Sequence, residues 1–229
     1  MRILALDTAL PAVSLCILDS GALEPLALES IPMERGHAEA LMPMVARAMA
    51  KVDGGFASLE RIAVTVGPGS FTGIRIGIAA ARGMALALGI ETVGVSTLAA
   101  FAAPLLFEEA ESIVVSAIDA RHGHVFFTAY GPGGRVLTSP RILLLRDACR
   151  LLGAGRVRAV GSGAWLLKEE ALKIGCEINV VNAGPAPDIV AVARLGLAAD
   201  PANAPARPLY LKAPDVKPSA IPSLPRVPS

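Results

Sequence analysis

The feature that most constrains this chain is an internal echo. Ala5-Leu6-Asp7 recurs as Ala117-Ile118-Asp119, displaced by 112 residues in a chain of 229. Six residues after each aspartate stands a valine, Val13 and Val125. Each valine opens an alternating run, Val13-Leu15-Ile17 in the first case and Val125-Phe127-Ala129 in the second. A β-branched run, a turn at the aspartate and an alternating return segment predict two antiparallel strands. Twice over, in the two halves of one chain, they predict two similar lobes. The boundary is expected near Ala103-Pro104, giving lobes over 1–104 and 105–203.

Between the echoes, strand and helix patterns alternate, which predicts an α/β fold. A helix is expected from His37 to Lys51, with Leu41, Met44, Val45, Ala48 and Met49 at helical spacing. Pro43 lies within its first turns. Ile62-Ala63-Val64-Thr65-Val66 is a continuous apolar run, expected to be buried on both faces. A second helix is expected from Ile74 to Leu88, closed by Gly89. In the second half, Leu143 to Leu152 predicts a helix, Val157 to Val160 a strand, Gly161-Ser162-Gly163 a turn, and Asp188 to Ala199 a helix capped by Asp188. From residue 204 the chain reads as an extended tail, because residues 205–229 hold seven of the 18 prolines.

Composition removes several classes. Hydrophobic residues make up 53% and charged residues 18%, so a disordered chain is excluded. A net charge of +1 argues against a strongly basic nucleic-acid binder. Residues 84–107 carry only Glu91 as a charge, yet Gly89, Gly94 and Pro104 break the run into helix, strand and helix rather than a membrane span. Asp7 interrupts the N-terminal apolar stretch too early for a signal peptide. Cys16, Cys149 and Cys176 are three, far apart and without a CxxC pair. They are expected as buried thiols in a reducing cytosol.

The strongest local motif is Gly67-Pro68-Gly69-Ser70-Phe71-Thr72-Gly73-Ile74-Arg75. It is neither a P-loop nor a dinucleotide fingerprint. Two readings stay open on the residues alone. Glycines and free N–H groups at a helix start attract anions, with Arg75 adding charge. Alternatively Gly73, Gly77, Ala80, Ala81 and Gly83 make a slim helix for close packing. Asp7 and Asp119 at turn tips suit either a metal–phosphate or a turn-capping role. His37 and Glu39 lack the i, i+4 partner of a helical metal site, since position 41 is Leu41, and the histidines are expected on the surface. No Gly-x-Ser-x-Gly elbow is present. Four methionines, Met33, Met42, Met44 and Met49, lie in or just before the first helix. Such faces suit adaptable protein contacts.

Several of these motifs occur together in a known order. They are Ile3-Leu4-Ala5-Leu6-Asp7-Thr8, His37-Ala38-Glu39 with Pro43, Gly67 to Gly73 with Arg75-Ile76-Gly77, Ser96-Thr97-Leu98, Ala117-Ile118-Asp119-Ala120-Arg121, Gly161-Ser162-Gly163 and Pro208-Leu209-Tyr210-Leu211. The set resembles the bacterial TsaB proteins, also called YeaZ and once labelled glycoprotease-like, over about residues 1–213. Lys212 stands where that family often has Arg, and the tail after Pro214 falls outside the pattern.

The resemblance implies a two-lobed actin/Hsp70-like ATPase fold (ASKHA, ribonuclease H-like), each lobe a mixed sheet flanked by helices. It implies a cytoplasmic, non-catalytic partner of the TsaD subunit in forming threonylcarbamoyladenosine on the tRNA adenosine beside the anticodon. The ATPase TsaE would join at the junction, the chain would form a homodimer when alone, and tRNA contact would be indirect or weak. No metal is implied. No cofactor is needed by this subunit, although ATP or ADP could sit at the junction with TsaD. There the nucleotide or anion residues would be Asp7, Thr8, Gly67, Gly69, Ser70, Thr72, Gly73 and Arg75. Association would run through the first-lobe helices, at His37, Leu41, Met44, Val45, Ala48, Gly73, Ile76, Gly77, Ala80 and Met84. Competing expectations are an active ATPase or small-molecule kinase of the same fold and a metallopeptidase. Leu41 and the absence of His-Glu-x-x-His disfavour the metallopeptidase. A third is an RNA contact through Arg207, Lys212 and Lys217.

Overall fold

A computed structural model of the chain describes residues 1–106, 108, 111–152 and 155–212. The rest of the expected tail, Lys217 included, lies outside the described residues. The first sheet holds β1 (Arg2–Asp7), β2 (Ala12–Asp19), β3 (Ala27–Pro32), β4 (Arg61–Gly67) and β5 (Glu91–Ser96) in the order β3-β2-β1-β4-β5. The second holds β6 (Ile113–Asp119), β7 (His124–Tyr130), β8 (Val136–Leu144), β9 (Val157–Val160) and β10 (Ile178–Asn182) in the order β10-β9-β6-β7-β8. Read from the opposite edge, the second order repeats the first. In both, two hairpin connections build an antiparallel meander and the last two strands run parallel to the first. The sequence echo therefore marks equivalent strands. Asp7 is the last residue of β1 and Asp119 the last of β6.

Among the described residues, six α-helices cover the sheets: α1 (His37–Met49), α2 (Phe71–Leu88), α3 (Thr97–Leu106), α4 (Leu145–Arg150), α5 (Ala164–Leu172) and α6 (Ile189–Ala198). On one face of the first sheet Leu4, Leu6, Leu15, Ile17 and Val64 pack against Leu41, Met44 and Val45 of α1 and Ile74 and Ile78 of α2. Strand alternation sends Ile3, Ala5, Cys16, Ala63 and Val93 to the other face, where they meet Ile189, Val192 and Ala193 of α6. Both faces are covered, which is why these strands are continuously apolar. The second sheet packs Val115, Ala117, Val125 and Phe127 against α4 and α5. Its other face packs Val114, Ile118 and Phe126 against Leu98, Phe101 and Leu105 of α3.

The packing crosses the expected lobe boundary twice. The contiguous division assigns α6 to the second lobe, but α6 lies on the first sheet. A Cβ at Gly196 would overlap Ala63, so this helix sits as close as a helix can. Arg61 of β4 donates from Nη1 to the carbonyls of Gly196 (3.1 Å), Leu197 (3.4 Å) and Ala199 (2.9 Å), capping the negative end of α6. Conversely α3, from the first half, lies on the second sheet. Ala103-Pro104, the expected boundary, is inside α3, with Pro104 facing outward. Touching each other, α3 and α6 form the layer between the two sheets.

Several sequence expectations shift at their edges. The edge strands β3, β8 and β10 and the helix α5 were not anticipated. β3 and β8 are half-buried to exposed along their length, and the apolar run that ends β8, Ile142-Leu143-Leu144, continues straight into the next helix. Leu143 and Leu144 end β8, and the helix expected there is shorter. α2 starts at Phe71, three residues earlier than expected, because the Ser70 hydroxyl accepts from Gly73 N–H at 3.3 Å and caps it. Gly89 closes the helix in a left-handed conformation, and Asp188 caps α6 through Val190 N–H at 2.9 Å, both as expected. α2 is long and apolar enough to cross a membrane by length and composition, but its inner stripe is part of the first lobe's core.

Candidate functional site

The glycine motif and the β1–β2 turn form one unit. Leaving β4 at Gly67, the chain enters a cis Gly67–Pro68 peptide and then runs over residues 8–10. Ser70 N–H donates to the Ala9 carbonyl at 2.7 Å. A Cβ at Gly69 would overlap the Ala9 carbonyl, and one at Gly73 would overlap the Thr8 carbonyl. One at Gly77 would meet the Thr8 hydroxyl, which donates to the Gly73 carbonyl at 2.7 Å. Three glycines, two of them one helical turn apart, thus let α2 press its backbone onto the turn. This is the close-packing reading of the motif.

Asp7 is sealed beneath this contact. Its Oδ1 accepts from Ala9 N–H at 3.0 Å and from the Thr65 hydroxyl at 2.5 Å. Its Oδ2 is buried without a hydrogen-bond partner. Desolvation raises the Asp7 carboxyl above the ordinary carboxylate range, opposed by those two hydrogen bonds and by nearby His37. Thr8 is equally inaccessible. Both side chains lie beneath the α2 backbone, so the turn as it stands leaves no open approach for a phosphate to either of them. Among the described residues no group of three His, Cys, Asp or Glu side chains is placed to hold a metal.

The other members of the expected anion site part ways. Thr72 and Arg75 are exposed on α2, on the side away from Asp7. Arg75 is already engaged. Its guanidinium lies 3.6 Å from the Phe71 ring centroid, and its Nε donates to the Tyr210 hydroxyl at 2.9 Å. Tyr210, from the Pro208-Leu209-Tyr210-Leu211 motif, is the partner that local sequence reasoning could not supply, lying 135 residues away.

The expected association residues need correction. His37 is buried, not on the surface, and its Nε2 holds the Leu10 carbonyl at 3.0 Å, so it braces the same turn. Leu41, Met44, Val45 and Ala48 lie in the core beneath α1, and Gly73, Gly77 and Met84 lie beneath α2. The helical stripe read from the sequence is the inward one, because core burial selects the most apolar face. Ile76 and Ala80 are half-buried. The outward stripes are Ala38, Met42 and Ala46 on α1, and Ala79, Gly83, Leu86 and Ala87 on α2. Leu86 is 86% exposed and Met42 44%. They are small or apolar, with Glu39, Arg47 and Arg82 among them.

The three cysteines are unpaired, but Cys176 is half-buried rather than buried as expected. Cys16 and Cys149 are buried, and burial pushes them up to about 12 and about 11. They are not poised to react.

Two like mixed sheets, facing each other across α3 and α6, define a two-lobed protein of the α/β class, in the arrangement that the sequence resemblance implies. Within that class the first-lobe turn is closed and the helix pair beside it offers an apolar face. Comparison with known proteins narrows the class. Residues 32–142 match the family model described as TsaD: tRNA N6-adenosine threonylcarbamoyltransferase. The chain is 38% identical over 130 residues to the tRNA threonylcarbamoyladenosine biosynthesis protein TsaB of Escherichia coli, covering 57% of this chain and 55% of that one. The match thus spans about half the length of that relative. An uncharacterised protein of Mycobacterium tuberculosis is 34% identical over 219 residues, covering 96% of this chain and 95% of its own. The solved structure of YeaZ from Pseudomonas aeruginosa superposes with a TM-score of 0.73 at 29% identity, covering 92% of this chain and 99% of the other. The chain belongs to the TsaB (YeaZ) family.

Proposed function

We propose that this chain serves tRNA threonylcarbamoyladenosine formation as a non-catalytic partner subunit that docks on a TsaD homologue. The observation that carries this reading is the pairing of a sealed turn with an open face. Asp7 and Thr8, where this fold class handles phosphates, are closed off by Gly69 and Gly73. The outward stripes of α1 and α2 meanwhile leave Met42, Ala46, Ala79, Gly83 and Leu86 without cover from the chain's own fold. Apolar faces of this kind mark protein contacts. The partner would supply metal, donor and transfer chemistry, and most of the hold on tRNA. TsaE would join at the junction, and any ATP or ADP there would lie outside the turn at Asp7. Alone, the chain would pair with a second copy through the same face. The tRNA substrate implies a cytoplasmic site of action.

Co-purification with a TsaD homologue tests the docking face. Leu86→Arg and Ala79→Arg should abolish it while the isolated chain keeps its melting temperature. Undiminished co-purification of both variants overturns this face. The rival reading is an active ATPase or kinase of the same fold. ATP turnover by the purified chain alone, lost in Asp7→Ala, would establish it and displace the partner reading.

A further inference from the structure

One face of α2 carries every charge that the helix has. Its charged residues are Arg75 and Arg82, both exposed, and it holds no Asp or Glu. At about 100° per residue, Phe71, Arg75, Ala79, Arg82 and Leu86 fall within an arc of roughly 80°. All five are exposed. The two arginines therefore lie on the apolar stripe assigned above to docking, about 10 Å apart along the helix axis. Arg82 makes no hydrogen bond or ion pair with the described residues. On the neighbouring α1 the exposed charged residues are Glu39 and Arg47, and Arg47 is paired with Glu29.

Arg75 is held in place from two sides. Its guanidinium lies over the Phe71 ring, and its Nε donates to the Tyr210 hydroxyl. Tyr210 in turn stacks on Phe71, with ring centroids 5.1 Å apart and planes 28° apart. The backbone on either side of Tyr210 is anchored. Leu209 packs against the first lobe's core and donates its N–H to the Val66 carbonyl at 2.7 Å. Leu211 packs against the cluster that α3 forms with the second sheet. The Tyr210 ring is thus a fixed platform that is still 43% exposed. Nη1 and Nη2 of Arg75 make no hydrogen bond to the described residues. The Tyr210 oxygen spends a lone pair on Nε and keeps its own O–H to donate. What the cluster offers outward is mainly donors.

We propose that Phe71, Arg75 and Tyr210 form a pre-set carboxylate receptor on the docking face, and that the partner subunit meets Arg75 and Arg82 with Asp or Glu side chains on an otherwise apolar surface. The inference rests on the partner reading above and names the chemistry of the surface that fits. A guanidinium whose Nε is taken still offers Nη1 and Nη2 as a pair, and that pair matches the two oxygens of a carboxylate. Fixing the side chain beforehand removes part of the ordering cost that a long arginine brings to an interface. Tyr210 acts through Arg75 and is a positioning residue. The phosphate chain of an RNA fits less well, because a polyanion needs clustered cations and this stripe has two arginines among apolar residues.

Titration of a TsaD homologue with the full chain, at low and at high salt, tests the receptor. Arg75→Gln should weaken binding at least ~10-fold at low salt. Arg75→Lys should recover little of that loss, because it keeps the charge and loses the fork. Arg82→Gln and Tyr210→Phe should each weaken binding roughly 2–5-fold. Wild-type affinity should fall as salt rises, and the double variant Arg75→Gln/Arg82→Gln should respond far less. A purely structural role for the cluster would lower the melting temperature and leave the salt dependence as it is. Binding by Arg75→Gln within about 2-fold of wild type overturns the receptor, and full affinity in Arg75→Lys overturns the fork. Loss of tRNA binding or of self-association in Arg75→Gln, with TsaD affinity unchanged, also overturns it and assigns the cluster to RNA or to a second copy. If Arg75→Gln does not fold, Tyr210→Phe and Arg82→Gln decide the matter by the same salt dependence. The two readings fail differently. If wild type binds, Leu86→Arg and Ala79→Arg abolish binding and Arg75→Gln does not weaken it, the docking face stands without the receptor. If wild type does not bind at all, both fall.

Discussion

The turn after β1 and the turn after β6 occupy the same place in their lobes, and each follows a strand that ends on aspartate. Each is pressed by a glycine-bearing turn from the neighbouring parallel strand. In the first lobe Gly69 and Gly73 lie against the Ala9 and Thr8 carbonyls. In the second, Gly161 lies against the Ala117 carbonyl and Gly163 against the Asp119 amide. The outcomes differ. Asp7 is fully buried beneath an eighteen-residue helix, while Asp119 stays exposed and its Oδ1 accepts from Arg121 N–H at 2.7 Å. Closing the second turn requires Arg121 and His122 to take left-handed backbones, at φ 63 and 53, before Gly123. One plan is tight in the first lobe and open in the second. What distinguishes them is how far the helix after the glycines reaches over the aspartate.

Substitutions can break this contrast. Gly73→Ala puts a methyl into the Thr8 carbonyl, with backbone on both sides and nothing free to move. It should cost about 3 kcal/mol, read as a lowered urea midpoint. Gly163→Ala meets its neighbours at 3.1 Å, among them the movable Val125 side chain, and should cost about 1–2 kcal/mol. Equal costs would mean the two turns are equally tight.

Asp7→Ala strands the Ala9 amide and the Thr65 hydroxyl and should cost about 1–3 kcal/mol by the same melt. Asp7→Asn keeps the Oδ1 acceptor and removes the charge. Because burial raises the Asp7 carboxyl, the folded state holds its proton more tightly than the unfolded state. Wild-type stability relative to Asp7→Asn should therefore be greatest in acid. It should fall as pH rises from the ordinary carboxylate range through the raised value. A flat difference across pH would show that Asp7 is not desolvated. Asp119→Asn, at an exposed site, should change stability by less than about 0.5 kcal/mol.

The smallest effect has the opposite sign. Gly83→Ala, on α2 but facing open space, should stabilise by about 0.5–1 kcal/mol. A loss instead would mean that something already covers that face.

Much of the fold was legible because periodicity reports burial. The echo at Asp7 and Asp119 marked two lobes, and the apolar runs at Ile62–Val66 and Val157–Val160 marked central strands. The edge strands β3 and β8 were not legible, since one side and one edge of each face solvent and their alternation is diluted. The candidate site was half legible. The glycine motif was seen, but only its carbonyl contacts distinguish packing from anion binding, and those partners lie about sixty residues away in the chain. The residues expected to associate turn out to lie inward for a simple reason: Leu41, Met44 and Val45 form the strongest stripe, and the strongest stripe goes to the core. The outward residues Met42, Ala79 and Leu86 carry no periodic signal of their own. Tyr210 bears on Arg75 only through a return of the chain that no local pattern announces.

The placement of α6 has a consequence for synthesis. As the chain leaves the ribosome, β1 to β5 are complete by Ser96, yet Ile3, Ala5, Cys16, Ala63 and Val93 stay uncovered until residues 189–198 arrive. Roughly a hundred residues are made in that interval, which lasts about 5–20 seconds at ordinary elongation rates. A fragment ending near residue 104 would keep that sticky sheet face for good. The lobes repeat one plan, but they are not separable goods: the nascent first half has to wait for the end of the second before it can bury its own sheet.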